Sequence, residues 1–455
     1  MFFIKNSFMV GLLLGCLFAN SWVFKYKDQT FYEQDFYNYF AKHDWVELTD
    51  NKQREGLLLD FIKQSAAVYE ADLLGLDLSP AVHEKLGGRF ERLLVNEYYM
   101  RVFLGSVVPD KGLAFCKKNL DKTVLVNHVL LKKTDQSLAS SLLDSLEGGA
   151  NFGDLAFSLS KDPSAKQNRG NLGWITVGQT VPDFQDVVFE LCVGCVGLVE
   201  SDFGIHVVRV DSVKNSFYSN LEKEDYNDFA FRFATGYIKE PLKNLAAEHD
   251  SSLLVDNGVV FNYDLLNSFI EATRVEVGGK SREKVDFIGG LQELGGVALL
   301  GGEVLSGQWF ANIFSGPFYK SVFYDSTDSL VDEFKLILLR KIVVGLAIQQ
   351  KVDLSYSFKK QFSSIKKELL KKEYLKFLIN SVPPPSKEEI ESYYYQNEAE
   401  LFVNKKTGEP FGLVSSYGSV EAILLKEKQD RVQSKFFDSL SGDSVVLNKG
   451  WLYVD

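Results

Sequence analysis

The chain has 455 residues, of which 45% are hydrophobic and 24% charged, with 36 phenylalanines and 20 tyrosines. That length and composition fit a globular protein of two or three domains. A formal net charge of -11 argues against nucleic acid as the partner, since phosphate binding needs a basic face, and four cysteines are too few for a disulfide-built scaffold.

Residues 1–20 read as an export signal: Lys5, then an apolar run from Phe8 to Ala19, too short to span a bilayer comfortably. Two processing routes fit. Leu13-Leu14-Gly15-Cys16 resembles a bacterial lipobox, which would leave a lipid on Cys16; Ala19-Asn20-Ser21 suits an ordinary signal peptidase. The lipoprotein route is favoured, and either one places the mature chain in the periplasm or cell envelope. Residues 21–120 read as a helical module. Asp50 is placed to cap a helix to about Leu74, with Leu57, Leu58, Phe61 and Ile62 on one face. Ser79-Pro80 opens a second helix, whose stripe runs through Leu86, Phe90, Leu93 and Leu94 to Phe103 before Pro109 ends it.

Residues 121–213 change character. "TVLVNHVLLKK" is rich in β-branched residues and reads as a strand. A helix follows from Asp135 to Glu147, stopped by Gly148-Gly149, and "NFGDLAFSLS" is a second. The glycine turn of "RGNLGWITVGQTVPDFQDVVFEL" is not a phosphate loop, because Leu172 and Trp174 interrupt it and no Lys-Ser/Thr follows. Pro182 starts a third helix, and "GIHVVRVDS" alternates as a closing strand. The segment is therefore a small α+β domain. Cys192-Val-Gly-Cys195 has no second pair with which to hold zinc and follows a helix rather than opening one. Two turn cysteines are expected there, with a local disulfide as the alternative.

Residues 214–300 are helical at first, then carry glycine pairs at 278–279, 289–290, 295–296 and 301–302. Residues 301–455 read as a second helical module ending in a short strand, "VVLNKGWLYVD". A weak repeat links the two modules at an offset of 274. It aligns "QDFYNYF" with "QWFANIF", Phe103-Leu104 with Phe377-Leu378, and Val108-Pro109 with Val382-Pro383. The second copy has its own stripe, Phe358, Phe362, Ile365, Leu369 and Leu370, and Ser386 with Glu389 forms a capping box for a further helix.

The chemistry-bearing residues gather in 121–213. Leu172 and Phe184 offer an apolar shelf. His128 and His206, the two histidines of the segment, sit in its opening and closing strands, with Asp162 on a loop between them. A metal would need a third ligand at the right distance, and none is expected.

"VNHVLLKK", "GANFGDLAFSLSKDPSA", "RGNLGWITVGQTVPDFQDVVFEL" and "SDFGIHVVRV", in that order and spacing, resemble a parvulin-type peptidyl-prolyl cis-trans isomerase domain. The resemblance implies an antiparallel sheet with surrounding helices, and active-site histidines at His128 and His206. It puts Asp162 at the acidic position beside them, although a one-residue shift would place Pro163 there. It also puts Leu172 and Phe184 in the wall of a prolyl pocket, Thr180 where the family usually has methionine, and Ser201 and Phe203 at the rim. Asn171 stands in for the usual aspartate of the glycine turn. The loop "KKTDQS" is short, which argues against phosphate-directed selectivity.

The flanking modules resemble the chaperone parts of SurA-like and PrsA-like exported foldases. The implied protein is an exported isomerase and chaperone that needs no cofactor. Its partners would be unfolded exported polypeptides with X-Pro bonds, secreted or bound for the outer membrane. The alternative is a holdase whose parvulin domain is a low-activity peptide-binding platform.

Overall fold

The structure, a computed structural model, describes residues 22–40, 51–273, 287–316, 324, 326–404, 407–440 and 444–448. The export segment with Cys16, the cap at Asp50, the glycine pair 278–279 and the last residues of the C-terminal strand lie outside them.

In chain order the elements begin with β1 (Trp22–Tyr26), β2 (Gln29–Tyr32), α1 (Glu33–Phe40), α2 (Asn51–Leu73), α3 (Pro80–Tyr98), a π-helical turn (Tyr99–Phe103), α4 (Leu104–Val107) and α5 (Asp110–Asn119). The α+β domain follows as β3 (Lys122–Leu131), α6 (Gln136–Glu147), α7 (Phe152–Leu159), α8 (Ala165–Asn168), β4 (Asn171–Thr176), α9 (Pro182–Val188), β5 (Val196–Ser201) and β6 (Gly204–Asn215). Next come α10 (Lys223–Ala234), α11 (Leu242–Asp256), β7 (Val260–Phe261), α12 (Tyr263–Thr273), α13 (Phe287–Gln292), β8 (Gly296–Leu300), β9 (Glu303–Ser306) and α14 (Gly307–Phe314). The chain closes with α15 (Thr327–Gln349), α16 (Tyr356–Asn380), α17 (Lys387–Leu401), α18 (Leu413–Ser439) and β10 (Val445–Leu447).

Local chemistry sets many of these boundaries. Ser79 and Ser386 accept hydrogen bonds at the starts of α3 and α17, and Glu389 completes a capping box with Ser386. Asn151 does the same for α7. Gly149, at φ 92°, follows the end of α6 in a conformation that a side chain would resist.

The repeat is written into the backbone. β1, β2 and α1 match β8, β9 and α14 residue for residue at an offset of 274. The sequence alone had shown these starts only as aromatic-rich segments; both are β-hairpins leading into a helix. Helices α2 and α15 have 23 residues each, and from here the offset is 276. Gly75 and Lys351 both take left-handed conformations, and Ser79 and Ser355 both cap the following helix. Burial follows the same register: Ala71 with Ala347, Leu94 with Leu370, Tyr98 with Tyr374. Phe103 is buried but Phe377 is 44% exposed. The π-helical turn of the first copy has no counterpart in the continuous α16, which shifts the two helices out of phase there.

The described residues form two compact units, one up to Arg89 together with those from Phe362 onward, the other Phe90–Gln361. In the first, an antiparallel sheet of order β10-β1-β2 covers a core of Val23, Phe24, Phe36, Phe61, Ile62 and Leu440. In the second, a sheet of order β7-β8-β9 covers Leu266, Val297, Phe310, Phe314 and Phe334. The two closing strands hold equivalent registers: Phe24 faces Leu447, and Ala298 faces Phe261. Each copy's final strand thus completes the other copy's hairpin.

Between α5 and α10 the first copy carries the entire β3–β6 domain. At the equivalent place, between α17 and α18, the second carries a short loop in which Val403 bridges Pro410. The domain is an antiparallel sheet of order β4-β3-β6-β5. One face is packed by α9 and the other by α6 and α7, through Phe184, Val188 and Val210 on one side and Leu142, Phe152 and Val207 on the other.

Candidate functional site

The site forms where the two long strands of the domain lie side by side. In the register of β3 with β6, Leu130 faces His206 and His128 faces Val208. The two histidines are therefore diagonal neighbours on one face of the sheet. Their rings lie 5.6 Å apart, tilted by 22°, and Nδ1 of one is 3.3 Å from Nδ1 of the other.

Asp162 is brought in by the segment after α7, which is tied to the sheet by Lys161 N donating to Leu130 O at 2.8 Å. Its Oδ2 lies 2.8 Å from His128 Nε2. The carboxylate, not Pro163, occupies that place. Ser160 Oγ accepts from both Asp162 N and Leu130 N, and Ser164 N donates to Asp162 Oδ1. At the other end, Ser201 Oγ is 2.8 Å from His206 Nε2 and accepts from Phe203 N.

These contacts admit one continuous hydrogen-bond direction. Ser201 donates to His206 Nε2, His206 Nδ1–H donates to His128 Nδ1, and His128 Nε2–H donates to Asp162. The proton positions are inferred from the network. In this arrangement the His206 imidazole is neutral. Burial pushes the His206 pKa down to about 4, with a further push from His128 and an opposing pull from Asp162. Burial acts to raise the Asp162 carboxyl, but hydrogen bonds from Ser164 and His128 outweigh it and hold the group below its usual value.

The buried Phe184 of α9 presents its ring edge-on to His206 at 5.2 Å and to His128 at 6.2 Å. Leu172, half-buried, packs against the same core cluster. Thr180 lies in the turn before α9, and its Oγ1 is buried with no hydrogen-bond partner. Phe203 is 70% exposed at the β5–β6 turn, and its backbone N–H donates to Ser201 Oγ.

The glycine turn has a different purpose from anion binding. Gly170 O accepts from His128 N, and a Cβ on Gly170 would lie 2.6 Å from His128 O. With φ at 82°, only glycine brings β4 this close to the histidine-bearing strand. Asn171 Oδ1 accepts from Gly173 N at 2.7 Å, which fixes the turn.

Ser160 and Ser164 were not singled out in the sequence, and Ser201 was read only as a rim residue. Serines near a loop are too common to stand out, although the spacing of Ser201 from His206 across a tight hairpin was a usable signal. Cys192 and Cys195 form a disulfide in the turn between α9 and β5, the alternative left open above. Among the described residues no group of three or more His, Cys, Asp or Glu side chains is placed to hold a metal ion.

Comparison with known proteins meets this geometry. Residues 114–214 match the family of PPIC-type PPIase domains. Foldase protein PrsA of Halalkalibacterium halodurans is 34% identical over 173 residues, 36% of this chain and 51% of that protein. A putative peptidyl-prolyl cis-trans isomerase, Cbf2 of Campylobacter jejuni, is 28% identical over 209 residues, 40% of this chain and 75% of that one. NmPin, the parvulin of Nitrosopumilus maritimus, is 34% identical over 20% of this chain and 97% of its own, with a TM-score of 0.19. The chain spans about half the length of the PrsA relatives it matches. It carries a peptidyl-prolyl isomerase domain of the PPIC, or parvulin, type.

Proposed function

We propose that this PPIC-type domain isomerises X-Pro bonds in unfolded polypeptides, and that the helical modules around it hold the client as a chaperone. The observation that carries the reading is the closed run from Ser201 through His206 and His128 to Asp162, walled by Phe184.

An X-Pro amide rotates slowly because resonance imposes a barrier of about 20 kcal/mol. Faster rotation needs no nucleophile and no cofactor. It needs a dry seat for the proline ring and surroundings that favour the twisted amide over the planar one. Phe184 and Leu172 are the residues proposed to seat the ring. His128, His206 and Asp162, joined in one hydrogen-bonded run, are proposed to set the polarity beside the carbonyl. Lowering the barrier by about 4 kcal/mol gives roughly a thousandfold rate gain.

A second reading rests on Thr180. A buried hydroxyl without a partner costs roughly 1–3 kcal/mol, and a pocket that tolerates it suits binding as well as turnover. On that reading the domain is a peptide platform with little catalysis. A proline-peptide isomerisation assay on the full chain separates the two. Acceleration that falls at least tenfold in Phe184→Ala and in His206→Ala supports the enzyme. An unaccelerated rate with retained peptide binding supports the platform.

The apolar run from Phe8 to Ala19 supports export, to the periplasm or cell envelope, of a foldase for secreted or outer-membrane clients. A lipid on Cys16 would tether it. Among the described residues no helix is long and apolar enough to cross a membrane. Mass spectrometry of the mature N-terminus tests the lipid, and cell fractionation tests the location.

A further inference from the structure

The wall of the histidine site is braced from outside the stretch that matches the PPIC-type family. That match ends at residue 214. Phe184 and Leu172 nevertheless share one core cluster with Ala230, Phe233, Ala234 and Tyr237, which belong to α10 and to the short 3-10 turn Thr235–Tyr237 after it. Two glycines show how closely this segment approaches. A Cβ on Gly112 of α5 would meet the Tyr237 side chain, and one on Gly178 would meet the Phe233 ring, so only bare backbone fits beneath either ring.

Gln185 joins these parts. It follows Phe184 in α9 and is 2% exposed. Its Oε1 accepts from Gly178 N at 3.0 Å, which ties the loop 178–181, with Thr180 in it, back onto the helix that carries Phe184. Its Nε2 donates to Tyr237 Oη at 3.0 Å. Tyr237 Oη in turn donates to Asp186, the next residue of α9. Burial, with that carboxylate alongside, pushes the phenol pKa up, so the hydroxyl keeps its proton. A buried amide needs partners at both ends, and Tyr237 serves one of them.

We propose that Tyr237 is a positioning residue for the isomerase: through Gln185 it fixes the loop 178–181 against α9, and so sets the seat that Phe184 offers a proline ring. The inference rests on the seat proposed above and extends the working site into the helical segment beyond residue 214. Tyr237 is not placed to touch the reacting amide. Losing its hydroxyl therefore weakens the seating of planar and twisted amide alike, which raises KM and spares kcat.

The test uses the full chain and a short proline peptide, assayed for isomerisation and, with a fluorescein label, for binding. Tyr237→Phe keeps the ring over Gly112 and removes only the hydroxyl. It is expected to raise KM and Kd about tenfold, equivalent to about 1.4 kcal/mol, with kcat within about twofold of the wild type. A purely structural loss would instead lower the folded fraction, which reduces the apparent kcat and leaves KM unchanged. Adding Tyr237→Phe to Gln185→Leu should raise KM no further than Gln185→Leu alone. Tyr226→Phe is the control. Its hydroxyl ties α10 to the Lys117 carbonyl of α5 at 2.8 Å, and its removal should leave KM at the wild-type value.

The proposal is overturned if Tyr237→Phe keeps the wild-type KM and Kd, if Tyr226→Phe raises them as much, or if the double variant is weaker than Gln185→Leu. If the wild type binds the peptide without isomerising it, and Tyr237→Phe still weakens binding tenfold, the positioning role stands and the isomerase reading fails. A wild type that neither binds nor isomerises the peptide overturns both.

Discussion

Burial holds His206 as a neutral imidazole, its pKa depressed to about 4 from the ordinary 6.5. Between those values the unfolded chain binds a proton that the folded chain does not, so stability rises with pH across the window and is complete above about 6.5. The full shift is worth roughly 3 kcal/mol, and about 2 kcal/mol is lost on going from pH 7 to pH 5. The depressed carboxyl of Asp162 adds a further loss below its ordinary range, in the same direction. We expect the thermal midpoint to fall between pH 7 and pH 5, and to fall less in His206→Leu, which has no proton to gain. A variant with the wild-type slope would remove His206 as its source. The same depression predicts an isomerisation rate that is flat from pH 8 to about 5. The residue types were legible in the sequence because two histidines in two β-branched runs are uncommon. The serines that lock them were not, since a hydroxyl's partner depends on backbone approach rather than on any local pattern.

Elements are where the sequence was most readable. The strand "TVLVNHVLLKK", the helix starting at Gln136 and the helix opened by Pro182 carry their own periodicity and caps, and the structure has each of them. The hairpins at Trp22–Tyr32 and Gly296–Ser306 were less readable. Their short strands give too few alternations to distinguish from an aromatic helix start. At this scale Gly170 governs the site, since it lets β4 close on the His128 carbonyl. Gly170→Ala combines a left-handed backbone with a Cβ 2.6 Å from that carbonyl and 2.7 Å from Ala156 Cβ. It is expected to cost about 2–3 kcal/mol and to slow isomerisation by moving His128. Hydrogen exchange at the His128 amide reads the effect directly, and a variant as protected as the wild type would contradict it.

Across the whole molecule, the strand exchange decides which parts depend on one another. Removing residues 444–455 deletes the partners of Phe24, Lys25 and Tyr26 and leaves β1 as an unpaired edge. Faster hydrogen exchange is expected in residues 22–26, with the proline-peptide rate unchanged, because the isomerase domain sits in the other unit. Equal loss in both would mean that the units do not behave independently. No local feature of the sequence announces this pairing: periodicity tells a segment that it is a strand, but not which of several strands it will meet.

Asn448 donates to the carbonyl of Trp22 across 426 residues of chain, while residues 90–361 form one contiguous stretch. In a polypeptide born from its N-terminus, the strands of the PPIC-type domain, β3 to β6, are all made within residues 122–215. The opening hairpin must wait, one edge bare, until Val445–Leu447 has been made. A chain proposed to guard other unfolded polypeptides is therefore itself late to close, with its first strand bare through most of its own synthesis.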